Sequence, residues 1–243
     1  MKKIIFISDL HLEERQPDIT ALFFQLLAQA IQEAEALYIL GDFFEVWIGD
    51  DDLTAFNQSI IAALKKATDQ GLPIYVMHGN RDFLIGKKFL QMTGCKLLPD
   101  ETVITLYGVP TLLMHGDTLC TDDIAYLKFR KRARNWLFQK LFLFKSLAKR
   151  QAIATRYRKA SQAHIAAVPD HIMDVTQAEV ERVIRKHGVQ HLIHGHTHRE
   201  AVHVFQMDQK SVTRTVLGAW HGGGSALVCH ENGTNELTHL TTA

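Results

Sequence analysis
The stretch Ile4-Ile5-Phe6-Ile7-Ser8-Asp9-Leu10-His11 sets a short apolar run directly against an acid and a histidine. Continuous apolar, β-branched character fits a strand covered on both faces, the form strands take in parallel sheets. Side chains at i and i+2 share a side, so Asp9 and His11 point the same way where the strand ends. With Met1-Lys2-Lys3 in front, the segment has the outline of a secretory leader. Its apolar run is too short for one, and Asp9 and His11 interrupt it.

The same arrangement recurs four times further along. Runs at 37–40, 74–77, 111–114 and 191–193 read as strands. They lead into Gly41-Asp42, Gly79-Asn80-Arg81-Asp82, His115-Gly116-Asp117 and Gly195-His196-Thr197-His198. Helical spacing covers 18–33, 54–70 and 84–92, and the pair Thr176 and Glu179 forms a capping box that opens a helix to about residue 186. A strand at 103–106 and strands at 201–207, 212–217, 226–230 and 236–240 complete the pattern. Strands alternating with helices predict an α/β fold. The chain reads as one domain over 1–243, with a helical insertion at about 122–170. In such folds ligands collect beyond the carboxyl ends of the strands, so the five loops are expected to meet in one cleft.

Composition excludes several classes. At 243 residues, 47% hydrophobic and 22% charged, with net charge +1, the chain reads as an ordinary globular protein. Cys95, Cys120 and Cys229 are odd in number and form no CxxC pair, which fits reduced cysteines rather than a disulfide framework. No apolar run reaches the roughly 18 residues that a membrane-crossing helix needs.

The five loops supply seven candidate ligands: Asp9, His11, Asp42, Asn80, His115, His196 and His198. Taken singly, Asp42 and Asn80 each have an equally plain reading as turn residues after glycine. Taken together, in order and each at a strand end, they read as a metal site. Mixed oxygen and imidazole donors suit Mn²⁺, Fe or Zn²⁺, and seven are too many for one ion. Two ions sharing one carboxylate fit that count. His191, His194 and His203 stand outside the pattern and read as ordinary histidines.

This constellation resembles the calcineurin-like metallophosphoesterase family, whose pattern is D-x-H, G-D, G-N-[HR]-[DE], H-G-D and G-H-x-H. The resemblance implies a layered fold of two β-sheets flanked by helices. It also implies one ion held by Asp9, His11, Asp42 and His198, and a second held by Asp42, Asn80, His115 and His196. Such a pair activates water for in-line attack on phosphorus and neutralises charge on the phosphoryl oxygens. Asp82, Asp117 and Glu45 are candidates for orienting the ligands, and each has an alternative reading as a solvated loop acid.

Arg81 narrows the reaction. Many members of the family carry histidine in this slot, where it can protonate a poor leaving group. Arginine stays protonated and cannot act as a general acid near neutrality, but its planar fork clamps phosphate oxygens. That favours a leaving group already good enough, such as a phosphate monoester expelled from a pyrophosphate. The plain alternative is a structural ion pair with Asp82 or another acid.

The insertion narrows the substrate. Residues 128–159 carry twelve Lys and Arg and no Asp or Glu, interleaved with Phe129, Trp136, Phe138, Leu141, Phe142, Phe144 and Tyr157. Without glycine or proline, most of this segment is expected to be helical. A basic, aromatic-rich amphipathic helix fits an anionic membrane surface. A cap that simply packs on the domain, or a nucleic-acid track, are the alternatives.

The stretches around the five motifs, with Val216-Leu217-Gly218-Ala219-Trp220-His221, resemble a lipid A branch of the family over essentially the whole chain. That likeness implies Mn²⁺-dependent hydrolysis of the pyrophosphate of UDP-2,3-diacylglucosamine at the UMP phosphorus, with two Mn²⁺ per chain. The products are UMP and 2,3-diacylglucosamine 1-phosphate. It implies a lipid-linked sugar nucleotide substrate, a peripheral position on the cytoplasmic face of the inner membrane, and no nucleic-acid or obligate protein partner. Asn80, Arg81, Asp123, Ser161 and His196 match its substrate-binding positions, with Arg81, Asp42, Asn80, His115 and His196 as the catalytic set. Two further polar contacts fall on Ile165 and Val168, which are apolar here. The competing readings are a metallophosphoesterase nuclease and a non-catalytic lipid-binding scaffold, and a scaffold needs none of the seven ligands.

Overall fold
The structure, a computed structural model, describes residues 2–167 and 169–241. Val168 and the side chain of Ile165 lie outside the described residues. The first strand, β1 (Lys3–Ile7), alternates as its sequence requires. Ile5 and Ile7 face one layer, and Phe6 faces the other. Helix α1 (Pro17–Glu33) starts on a proline at the position where the missing N–H costs nothing. It buries Ile19, Leu22, Phe23, Leu26, Leu27 and Ala30. It runs directly into β2 (Ala34–Ile39), which starts three residues earlier than its apolar run suggests. Ala34 joins the strand because Lys3 of β1 offers it a backbone partner, and a register shift then carries the pairing past Glu35 to Ala36.

Helix α2 (Ala55–Asp69) is capped by Thr54, whose side chain accepts from Asn57 N at 3.1 Å. Then follow β3 (Ile74–Met77), α3 (Lys87–Thr93), β4 (Lys96–Leu98), β5 (Glu101–Leu106) and β6 (Val109–Met114). Helix α3 begins later than its apolar spacing suggests. Its start is fixed from a distance by the Asp50 carboxylate, which accepts from Gly86 N and Phe89 N at 2.9 and 3.0 Å.

The insertion is three helices rather than one: α4 (Ile124–Ala133), α5 (Trp136–Leu143) and α6 (Leu147–Ala167). Asn135 makes the first break by accepting from Leu137 N and Phe138 N, which starts a new helix without glycine or proline. Helix α7 (Gln177–His187) begins at Thr176, but the capping box does not form. The Thr176 hydroxyl donates to the Leu119 carbonyl at 3.0 Å, and Glu179 binds Arg182 instead. The chain ends with β7 (His191–His194), β8 (Ala201–Met207), β9 (Lys210–Val216), β10 (Gly224–His230) and β11 (Asn235–Leu240).

Two mixed sheets face each other. One has the order β11-β10-β1-β2-β3-β4 and the other β5-β6-β7-β9-β8. Phe6, Tyr38 and Met77 of the first meet Leu106, Leu113 and Ile193 of the second between the sheets. Helices α1, α2 and α3 cover the outer face of the first sheet, and α7 covers that of the second. Within the first sheet β1, β2 and β3 run parallel, and β6, β7 and β9 do so in the second. The loops after β1, β2, β3, β6 and β7 carry the five motifs, and hydrogen bonds knit them together. Asp9 N donates to Gly41 O at 3.1 Å, and Gly195 N to His115 O at 2.8 Å. Among the described residues no helix is long and apolar enough to cross a membrane.

Candidate metal centre and active site
All seven candidate ligands come together where the two sheets end. Asp9, Asp42, His11 and His115 are buried, at 0%, 2%, 5% and 3% exposure, whereas His198 reaches solvent. The backbone there is unusual. Asp9, His11, Asp42, His196 and His198 all have φ between 50° and 69°, a region that side-chain-bearing residues rarely occupy. Glycines allow the loops to approach. A Cβ at Gly79 would sit 2.1 Å from Asp42 Oδ1, and one at Gly195 would sit 2.2 Å from Asp9 Oδ2.

Two groups of donors face the centre. On one side, His198 Nε2 lies 3.4 Å from both Asp9 Oδ1 and His11 Nε2, and His11 Nε2 lies 3.9 Å from Asp42 Oδ2. On the other, Asn80 Oδ1 lies 3.0 Å from both His115 Nε2 and His196 Nδ1, and His115 Nε2 lies 3.8 Å from Asp42 Oδ1. Asp42 therefore turns one oxygen to each side. Among the described residues, the two carboxylate–imidazole groupings whose donor atoms all lie within 4.8 Å of one another, Asp9/His11/His198 and Asp9/Asp42/His115, both contain Asp9 as well. Asp9 Oδ1 is buried with no hydrogen-bond partner. An orphaned carboxylate oxygen facing an imidazole nitrogen fits a divalent cation, since burial otherwise demands a donor.

The electrostatics fit the same occupant. Burial raises the Asp42 carboxyl above its ordinary range against the pull of His115 and His11. Burial works on Asp9 in the same direction, but the neighbouring imidazoles of His198, His115 and His11 hold it well below. His196 is pushed down to about 4, by burial first and by His115 second, so it is neutral with a lone pair available to a metal.

Surrounding residues orient the ligands. Glu45 Oε2 lies 3.1 Å from His11 Nδ1, which sets a carboxylate behind this imidazole. Burial would raise the Glu45 carboxyl, yet the adjacent His11 imidazole and the charges of Arg81 and Arg158 hold it below its usual value. Among the described residues, Asp82 makes no hydrogen bond or ion pair with a candidate ligand's side chain. It accepts from Phe43 N and Gly79 N, both at 2.7 Å, and so staples the Asp42 loop to the Asn80 loop. Asp117 accepts from Tyr126 Oη and from Arg130 Nε at 2.6 Å, which ties the insertion to the metal loops. Arg81 Nη1 lies 3.4 Å from Glu45 Oε1, so the acid facing it is Glu45 and not Asp82.

Asn80, Arg81, Asp123, Ser161 and His196 line a single cleft of about 390 Å³ together with His11, Asp42 and His198. Asp123 also caps α4 by accepting from Tyr126 N at 2.9 Å. The cleft shares Arg81, Phe129, Tyr157 and Ser161 with an apolar chamber between the insertion and the body, walled by Trp47, Phe83, Phe138, Phe142 and Ile153. Sequence reasoning assigned no role to His221, whose ring stands 5.5 Å from that of His198 and 6.2 Å from that of His11. It also missed Arg158, which reaches Glu45 from α6. The resemblance of the Trp220-His221 stretch was the available signal for the first. The second is a contact across 113 positions of chain that no spacing announces.

The sequence model of the calcineurin-like phosphoesterase family matches residues 2–200, and the chain belongs to that family. A protein of Pseudomonas aeruginosa named UDP-2,3-diacylglucosamine hydrolase is 53% identical over 95% of this chain and 96% of its own. One of the same name from Azotobacter vinelandii is 49% identical over 98% and 97%. A solved structure described as a novel archaeal phosphodiesterase shares the fold at 13% identity and a TM-score of 0.52, covering 98% of this chain and 99% of that one.

Proposed function
We propose that the chain hydrolyses the pyrophosphate of UDP-2,3-diacylglucosamine in lipid A biosynthesis, releasing UMP and 2,3-diacylglucosamine 1-phosphate. The observation that carries this reading is the continuity of the ligand-lined cleft with the apolar chamber through Arg81, Phe129, Tyr157 and Ser161. A substrate that is anionic at one end and diacylated at the other needs both compartments side by side. The near full-length relatives of that name support the choice.

Asp9, His11, Asp42 and His198 would hold one divalent ion, and Asp42, Asn80, His115 and His196 a second, with Mn²⁺ the expected metal. Such ions supply Lewis-acid polarisation and a water made nucleophilic near neutral pH. The chain's own residues supply the rest. Arg81 places its guanidinium against the diphosphate oxygens, where it offsets charge on the departing phosphate without giving up a proton. Asp123 and Ser161 fix the head group, and the chamber under α4, α5 and α6 takes an acyl chain out of water.

The same reading places the protein peripherally on the cytoplasmic face of the inner membrane. Helix α5 buries none of its residues, and Trp136 and Phe144 are 70% and 78% exposed beside Lys140 and Lys145. An apolar helix flanked by cations fits an anionic lipid surface. The deciding experiment incubates the protein with UDP-2,3-diacylglucosamine and Mn²⁺ in ¹⁸O-labelled water. Label in UMP is expected. Label in the sugar phosphate, no cleavage, or Mn²⁺-dependent nicking of DNA instead would overturn the reading.

A further inference from the structure
Arg214, on β9, is 8% exposed, and among the described residues it makes no ion pair with a carboxylate. Its Nε has no hydrogen-bond partner, and its Nη1 lies 3.2 Å from His194 Nε2. A guanidinium can only donate, so His194 Nε2 is the acceptor and the ring carries its proton on Nδ1. That Nδ1 lies 2.8 Å from the Gly195 carbonyl oxygen and donates to it.

The contact falls on one peptide unit. The 195–196 peptide has its C=O held by His194 Nδ1 and by Thr197 N at 2.9 Å, and its N–H held by Asp9 Oδ2 at 2.8 Å. With both ends fixed, the plane from which His196 projects toward Asn80 is set. His194, fully buried, also packs against the neighbouring metal loop, where a Cβ at Gly116 would come within 2.8 Å of its Nδ1. Stability alone favours an apolar side chain of similar volume over a buried guanidinium that makes no close ion pair. What Arg214 adds is the hydrogen that sets the His194 tautomer.

We propose that Arg214 is a positioning residue: it fixes the tautomer of His194, and so the orientation of the peptide that aims His196 into the metal centre. This rests on the metal-site reading above.

The test titrates Mn²⁺ by calorimetry into metal-stripped protein, recording the thermal midpoint of each metal-free variant. Arg214→Met is expected to bind Mn²⁺ about 10- to 100-fold more weakly, the range for residues that orient ligands, at an unchanged or higher metal-free midpoint. His194→Asn keeps an amide N–H in the place of Nδ1 and should stay within about threefold of the parent, whereas His194→Gln, lacking that donor, should weaken like Arg214→Met. Parental affinity in Arg214→Met, equal affinities in the two His194 variants, or losses that track the midpoint would overturn the proposal. Should Arg214→Met fail to fold, the His194 pair decides. A parent that binds no Mn²⁺ defeats the metal reading itself, whereas a parent that binds with all variants alike defeats only the role of Arg214.

Discussion
His115 Nδ1 lies 2.9 Å from the Leu40 carbonyl oxygen, so a backbone group of one sheet selects the nitrogen that a residue of the other sheet offers to the site. Donation from Nδ1 leaves Nε2 with its lone pair toward Asn80 and Asp42. The candidate metal centre is thus assembled across the sheet interface, with a backbone group on one side aligning a candidate ligand that belongs to the other.

Asn80→Ala and His115→Ala each remove a donor from the same side of the centre. Hydrolysis should fall at least about 100-fold in either variant, with little change in the metal-free fold. Release of UMP at the parental rate from either one would count against the ligand assignment.

Glu45→Gln leaves His11 in place but weakens the carboxylate behind its Nδ1. Mn²⁺ affinity is expected to drop about 10- to 100-fold, with recovery of turnover at high metal concentration. Turnover that stays low at saturating Mn²⁺ would show that Glu45 acts on something besides His11.

Arg81→Lys keeps the charge and loses the planar fork. A fall in kcat of about 10-fold or more, with Arg81→Ala lower still, is the expected order, because bidentate contact to phosphate is what lysine cannot reproduce. Full activity in the lysine variant would reduce the role of Arg81 to that of a point charge.

Asp117 is 2% exposed. Burial works to raise its carboxyl, but the charges of His115 and Arg130 hold it well below the usual range. A depressed folded pKa stabilises the fold above the unfolded value of about 3.9, and that contribution is lost as pH falls below it. Asp117→Asn should therefore cost about 3 kcal/mol near neutrality and show a shallower loss of stability below about pH 4 than the parent. Thermal midpoints across that pH range decide the matter, and parallel profiles for the two proteins would remove Asp117 from the acid response.

Trp136→Glu combined with Phe144→Glu places acids on the exposed face of α5. Sedimentation with vesicles containing anionic lipid should fall by about 10-fold or more, while the thermal midpoint stays put because neither side chain is buried. Undiminished co-sedimentation would detach α5 from the membrane.

Much of this architecture could be read from local pattern, since each motif sits where an apolar run stops and the continuous apolar run of Ile4 to Ile7 already calls for a strand covered on both faces. The donor set was legible because its members are paired or spaced along short loops. What stayed hidden depended on contacts distant in sequence. Asp50 starting α3, Thr176 turning its hydroxyl to Leu119, and Arg158 reaching Glu45 have no periodicity to betray them. The break between α4 and α5 was hidden for a different reason, because Asn135 ends one helix and starts the next without the residues that usually mark a boundary.

Five of the seven candidate ligands hold left-handed backbone conformations, each at a cost of about 1 kcal/mol or more. Catalytic competence and thermal robustness are therefore set against each other at the same few positions. A selection for heat resistance alone would be drawn first to glycine at Asp42 or His11. The survivors of such a selection would be sturdier proteins that have given up one or both of these candidate ligands.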